Sequence, residues 1–202
     1  METNTNSARE SREYGIGELL GRAVDGALPV VRGIPDGALA GRTPCAEYDV
    51  KALVNHLFHV IVEFRKLAAK GSVDFTRTPD RVGEGADWRE RFTQAAQALV
   101  AAWSVPGAEE GTAGTMNMPA RTLGSMALLD VTVHGWELAR ATGQREPSAD
   151  PAVVAELAGQ VAGLAPTARA MGMFGEPVAV VQGAPEFERL LGVTGRDPGW
   201  KA

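Results

Sequence analysis

The chain has 202 residues, of which 45% are hydrophobic and 22% charged, with a formal net charge of −5 and one cysteine. This size and composition fit one globular domain, alone or with a small appendage. Acidic and basic residues are mixed along the chain, so no nucleic-acid partner is expected. No apolar stretch is long enough for a membrane span. The single cysteine, Cys45, excludes an internal disulfide and agrees with a reducing cytoplasm.

The N-terminal part of the chain predicts a lead-in followed by a helix. Residues 1–13 are polar and without periodicity, which is typical of a disordered segment. Apolar residues then recur with helical periodicity over residues 16–31, and Gly33 and Pro35 follow. The first helix is therefore predicted to end near Gly33.

The next two helices are predicted from apolar stripes and from capping residues at their starts. Asp49 is the expected N-cap of a helix whose stripe covers residues 50–67 and which carries His56 and His59. Asp87, with Glu90 in the capping-box position, precedes a second stripe over residues 88–103.

The second half of the chain predicts two further long helices. Residues 105–119 are rich in Gly, Pro and acidic residues and predict a long connection with a short extended piece near residues 116–118. A helix over residues 123–141 follows, and Asp150 with Pro151 marks the start of another. After Gly172 the chain is irregular, with a short helix predicted over residues 185–191.

No segment alternates strongly enough to predict a sheet, so the fold class is predicted as all-α. We expect residues 14–172 to form a helical bundle and residues 173–202 to form a C-terminal extension that packs on it.

Asp130 and His134 are the strongest candidates for a functional site. They are four residues apart on a predicted helix, on a face that also carries apolar residues, so both polar groups need partners. His56, from another helix, would complete a set of two imidazoles and one carboxylate, which is common at catalytic metal sites with one position open. The alternative is a structural Asp–His hydrogen bond without a metal.

Other candidates have weaker support from spacing. His59 and Glu63, four residues apart, are candidates for supporting a ligand rather than binding the metal, with His59 paired to Glu63. Glu137 and Arg140 flank the site and are expected to face solvent. Cys45 lies beside a helix start, where a thiolate can be stabilised, but a structural thiol is the preferred interpretation.

Several segments together resemble the actinobacterial DinB-like proteins. Residues 43–50 (TPCAEYDV), 53–57 (LVNHL) and 129–143 (LDVTVHGWELARATG) resemble two signatures of that family, and residues 174–178 (FGEPV) and 195–198 (GRDP) resemble its C-terminal part. These relatives are metal-binding proteins related to the N-terminal domain of mycothiol-dependent maleylpyruvate isomerase.

The resemblance implies an up-down-down-up four-helix bundle, with an additional helix and an irregular tail, and a metal at one end. Carried over by position, the implied ligands are His56, Asp130 and His134. The isomerase has a glutamate at the position of Asp130. Tyr48 stands where tryptophan is usual and Glu137 where aspartate is usual, and neither change is expected to touch a ligand.

The implied function is that of a metal-dependent S-transferase or isomerase that uses a small thiol, mycothiol, on an electrophilic substrate. Zinc is the expected metal, with nickel, iron and manganese as alternatives. Arg140 is expected to orient an anionic substrate or the cofactor. The alternative function is a non-catalytic metal-binding or small-molecule-binding module, such as a stress or resistance protein. We expect a monomer or homodimer.

Overall fold

A computed structural model describes residues 14–202, so the predicted disordered lead-in lies outside the described residues. The four long helices of the bundle are α1 (Ile16–Gly33), α2 (Val50–Ala68), α3 (Trp88–Trp103) and α4 (Ala120–Ala141). They are followed by α5 (Pro151–Ala170) and the short α6 (Glu186–Val193). A 3₁₀ turn (Asp36–Ala38) and two short strands, β1 (Thr112–Ala113) and β2 (Met118–Pro119), lie in the connections.

The four helices α1 to α4 pack around one apolar core. Both α1 and α2 contact α3 and α4, and these are the main packing pairs of the bundle. The fully buried core side chains come from each of these helices and include Leu19, Leu57, Phe92 and Leu128. The prediction of an all-α bundle is therefore confirmed. No helix within residues 14–202 combines the length and the apolar character that a membrane crossing requires.

Two of the three predicted N-caps are confirmed. Asp49 Oδ1 accepts a hydrogen bond from the Ala52 amide at 2.7 Å, and Asp150 accepts from the amides of Ala152 and Val153. Asp87 directly precedes α3, as predicted, but the predicted side-chain cap is wrong, because its carboxylate bonds no amide of the first turn and instead accepts from Arg91. The backbone of Asp87, with ψ of 8°, lacks the extended conformation that N-caps usually adopt.

The start of α4 differs from the prediction because a hairpin precedes it. Strands β1 and β2 pair antiparallel, and α4 begins directly after Pro119, three residues before the predicted Leu123. Gly114 and Asn117 have positive φ values in the turn between the strands. The strands have two residues each and so are too short to show alternation in the sequence.

The C-terminal residues pack on one side of the bundle. Helix α6 contacts α5, and Leu191 lies in a small buried cluster with Val133 and Trp136 of α4. The predicted short helix over residues 185–191 is present as α6, displaced by one or two residues.

Gly124 allows α4 to approach α1 and α3 closely. A Cβ at Gly124 would lie 2.6 Å from Ile16 Cγ2 and 3.0 Å from the Trp103 ring, both of them buried. We expect Gly124→Ala to lower the free energy of unfolding by about 1–3 kcal/mol through overpacking.

Gly159 supplies the matched control for this substitution, because it is exposed on α5 and nothing lies within 4 Å of its added Cβ. Gly159→Ala should raise the free energy of unfolding by about 0.5–1 kcal/mol through helix propensity. Guanidinium denaturation measures both variants. Equal stability of the Gly124→Ala protein and the wild type would contradict the close approach.

Candidate metal centre

Helices α2 and α4 bring the three predicted ligands together. His56 lies on α2, and Asp130 and His134 lie one turn apart on α4, against which α2 packs. The rings of His56 and His134 are perpendicular, with centroids 5.0 Å apart, and His134 Nε2 is 3.4 Å from Asp130 Oδ1. One ligand atom from each of the three residues lies within 4.8 Å of the others.

This donor set fits a divalent metal ion. Imidazole nitrogens and a carboxylate oxygen are the ligands of many zinc sites, and three protein ligands leave a position for water or substrate. His134 is buried, whereas His56 and Asp130 are half-buried, with 29% of the Asp130 side chain exposed. The cluster therefore has a closed side formed by the bundle and an open side reached from solvent.

A loop before α2 holds His56 from its outer side. The Thr43 hydroxyl donates a shared hydrogen bond to the carbonyl oxygens of Cys45 and Tyr48, each 2.8 Å away. The Tyr48 ring stacks on His56, with centroids 5.2 Å apart and 23° between the planes. The expectation that the residue at position 48 does not touch a ligand is therefore wrong, because the loop folds back over the helix start.

Glu137 is the main residue that sequence reasoning missed. It was expected to face solvent, but it is fully buried, and its Oε2 accepts a hydrogen bond from His134 Nδ1 at 2.5 Å. Its Oε1 accepts from Arg196 Nε at 3.1 Å. A carboxylate on one imidazole nitrogen fixes the tautomer and orientation of the ring, which leaves Nε2 of His134 as the ligand atom beside Asp130.

One sequence signal bears on the position of Glu137, and none bears on its pairing with Arg196. Glu137 is three residues after His134 and seven after Asp130, so helical geometry places all three near one face of α4. Arg196 is 59 residues from Glu137, and nothing in the sequence pairs them.

The pKa values of the His56 and His134 imidazoles are shifted in opposite directions in the metal-free protein. Burial, together with the neighbouring His134, lowers the pKa of His56 to about 4. Burial of His134 also disfavours its charged form, but the carboxylates of Glu137 and Asp130 outweigh this and raise the pKa of His134 to about 9. His56 therefore offers a free lone pair at neutral pH, and a metal ion would compete with a proton for His134.

Cys45 has the environment of a neutral thiol. It is half-buried in the loop before α2, and this burial raises its pKa, with a smaller contribution in the same direction from the Glu137 carboxylate. A backbone hydrogen bond from Glu47 in the same loop favours the thiolate, but burial outweighs it, which favours the structural interpretation of this cysteine.

Glu63 and Arg140 have partners outside the cluster. The Glu63 carboxylate accepts from Lys66 Nζ at 2.6 Å and from the Asp74 amide at 2.9 Å, so the predicted hydrogen bond with His59 does not form. The Arg140 guanidinium pairs with Glu146 and donates to the Pro198 carbonyl. Its predicted role in orienting an anionic ligand stays a prediction.

His59 is buried without a polar partner. Only 6% of the residue is exposed, neither ring nitrogen has a hydrogen-bond partner in residues 14–202, and the ring packs edge-on against Phe75. A buried polar group without a partner lowers stability. We expect His59→Leu to raise the free energy of unfolding by about 1 kcal/mol.

Urea denaturation of this variant in metal-free buffer checks the expectation, with His59→Gln as a control that keeps a buried polar group. A loss of stability in His59→Leu would show that the imidazole has a partner, and would support the predicted role of His59 beside the ligands.

A groove between α1, α4 and α5 is the main alternative site. It is lined by residues that include Arg22, Trp136 and Asp150, and its volume of about 20 Å³ holds about one water molecule. None of the three clustered ligands lines it. The groove is therefore separate from the His56–Asp130–His134 cluster, and the cluster is the better candidate because it brings three metal-binding side chains together.

Comparison with known families gave a match over more than half of the chain. A sequence model of the family described as "Mycothiol maleylpyruvate isomerase N-terminal domain" matches residues 20–139, which include His56, Asp130, His134 and Glu137 but not Arg196. No curated protein and no solved structure matches the chain.

Proposed function

The chain belongs to the mycothiol maleylpyruvate isomerase N-terminal domain family, and from this premise we propose that it binds a divalent metal through His56, Asp130 and His134 and uses a small thiol, mycothiol, as an S-transferase or isomerase. The observation that carries the proposal is the approach of these three ligand atoms to within 4.8 Å of one another. Zinc is the metal we propose, because two imidazoles, one carboxylate and an open position form a common catalytic zinc set.

The bound ion would act as a Lewis acid that lowers the pKa of water or a thiol. The chain's own residues prepare the site for it. Glu137 holds His134 in the tautomer that offers Nε2, and Tyr48 restricts the ring of His56 by stacking. The partial exposure of His56 and Asp130 leaves a side open to a small thiol.

The proposed reaction joins the thiol sulfur to an electrophilic carbon of the substrate. In a transferase, the thiol proton passes to water or to the displaced group, and the conjugate is released. In an isomerase, the thiol adds and is later eliminated, so it is regenerated and no group is lost. Both reactions need the thiol in its reduced form, and the chain has a single cysteine, so we propose the cytoplasm as the compartment.

A non-catalytic binding module is the second candidate. One observation favours it: the guanidinium groups of Arg196 and Arg140 already pair with carboxylates of the chain, Glu137 and Glu146, respectively. Such a module would capture its thiol or metal without releasing a product.

The test loads the protein with Zn²⁺ and adds mycothiol with a panel of small electrophiles. Sustained multiple turnover that is lost in His134→Ala supports the enzyme. Stoichiometric capture of the thiol without product supports the binding module. A Zn²⁺-loaded protein that neither binds mycothiol nor conjugates any electrophile would contradict the enzyme, and a protein that takes up neither Zn²⁺ nor mycothiol would contradict both.

A further inference from the structure

Arg196 reaches the buried Glu137 from the C-terminal segment. The Arg196 Nε donates to Glu137 Oε1 at 3.1 Å, and only 12% of the Arg196 side chain is exposed. The residue lies outside the segment 20–139 that the family model matches. A contact with the candidate metal centre therefore comes from a part of the chain that the family match does not include.

The position of Arg196 is set by the local structure after α6. Its amide donates to the Leu191 carbonyl at 2.8 Å, and one terminal nitrogen of its guanidinium donates to the Thr194 carbonyl at 2.7 Å. Gly195 has φ of 85°, and a Cβ there would lie 2.6 Å from Gly175 Cα, so the chain can turn at this point only with glycine. The guanidinium is thus held toward Glu137 rather than free to move.

The ion pair leaves each carboxylate oxygen of Glu137 with one partner, Arg196 on Oε1 and His134 on Oε2. A fully buried carboxylate needs such compensation, because burial of an unpaired charge is strongly unfavourable. Without the guanidinium, Glu137 would be free to rotate or to draw in water, and the imidazole of His134 would lose its fixed orientation.

We propose that Arg196 is a positioning residue for the metal centre: it fixes Glu137, which fixes His134, and it thereby makes the C-terminal segment part of the site. This inference rests on the proposed metal binding by His56, Asp130 and His134. Arg196 is then a determinant of metal affinity and geometry, although it lies 59 residues along the chain from Glu137, the residue that it contacts.

The test is titration of the metal-free protein with Co²⁺, followed by visible absorption, with a competing chelator to obtain affinity. We expect Arg196→Gln to weaken Co²⁺ binding about tenfold, in the range found for partners of metal-binding histidines. The absorption of the bound Co²⁺ should also change, since the orientation of His134 changes. Arg196→Lys keeps a cation near Glu137 and should recover part of the affinity.

Arg140→Gln is the matched control. Arg140 also joins α4 to the tail, through the Pro198 carbonyl, but it does not contact Glu137. Its replacement should leave Co²⁺ affinity within about twofold of the wild type, because no contact to a ligand changes. Circular dichroism establishes that each variant is folded; if Arg196→Gln is not, Arg196→Met, which keeps the length and aliphatic packing of the side chain, takes its place.

Two results would overturn the inference while the proposed metal binding stands. One is wild-type affinity and absorption in the variant without the guanidinium. The other is an equal loss in Arg140→Gln, which would assign the effect to docking of the tail alone. A wild-type protein that takes up no Co²⁺ would instead contradict the proposed function itself.

Discussion

Zinc is expected to raise the free energy of unfolding of the wild-type protein by about 4 kcal/mol when free Zn²⁺ is a thousandfold above its dissociation constant. For a chain of this size, the unfolding midpoint should rise by roughly 10 °C. The reason is that the ligands come from two helices, α2 and α4, and meet only in the folded chain. The metal therefore binds the folded state and stabilises it.

Calorimetry with and without Zn²⁺ measures this shift, and His134→Ala should abolish it. His59→Leu is the matched control, since it removes another buried histidine, three residues from His56, that is not in the cluster. It should keep the full shift. Persistence of the shift in His134→Ala would place the zinc elsewhere.

Replacement of Glu137 by alanine should lower the free energy of unfolding of the metal-free protein by about 3–5 kcal/mol. The substitution removes the carboxylate that pairs with Arg196 and accepts from His134, and it leaves both groups buried. In the wild type, burial opposes ionisation of Glu137, but His134 and Arg196 outweigh it and hold the pKa of Glu137 below its usual range. The three groups therefore stabilise one another's charged forms.

Urea denaturation measures this loss of stability, and a chelator in the buffer removes any contribution from bound metal. Glu137→Gln, which keeps the shape of the side chain, should cost less than Glu137→Ala. A double-mutant cycle with Arg196→Ala should give a coupling of more than about 1 kcal/mol, because the two side chains are in contact. Additive losses, or a loss below about 1 kcal/mol in Glu137→Ala, would contradict the buried ion pair.

Local sequence patterns were sufficient to predict the helices. Apolar periodicity gave the positions of α1, α2 and α3 closely, and Asp49 and Asp150 are true N-caps because the backbone at both is extended. Asp87 stands at the predicted start of α3 but forms no side-chain capping bond, because capping depends on backbone conformation and not only on residue type. The start of α4 was misplaced because a two-residue strand carries no periodic signal.

Residue spacing and the family resemblance predicted the three ligands of the candidate site but not the residues that contact those ligands. The i, i+4 pair of Asp130 and His134 follows from helix geometry. His56 was predicted from its residue type and from the resemblance, and the structure places the ligand atoms of all three residues within 4.8 Å of one another. The contacts of Glu137 with Arg196, and of Tyr48 with His56, depend on how the tail and a loop fold back onto the bundle. Such tertiary contacts leave no mark in residue order. The spacing of Glu137 from Asp130 and His134 does place it near their face of α4, but its burial depends on the tail that covers it.

Metal content per chain, measured by elemental mass spectrometry on the untagged protein and on His134→Ala, tests the central claim most directly. We expect about one divalent ion per wild-type chain, as a three-ligand site binds one, and none in the variant. No ion in either protein after loading with zinc, nickel, iron and manganese would contradict the claim. His56, Asp130 and His134 would then have structural roles alone.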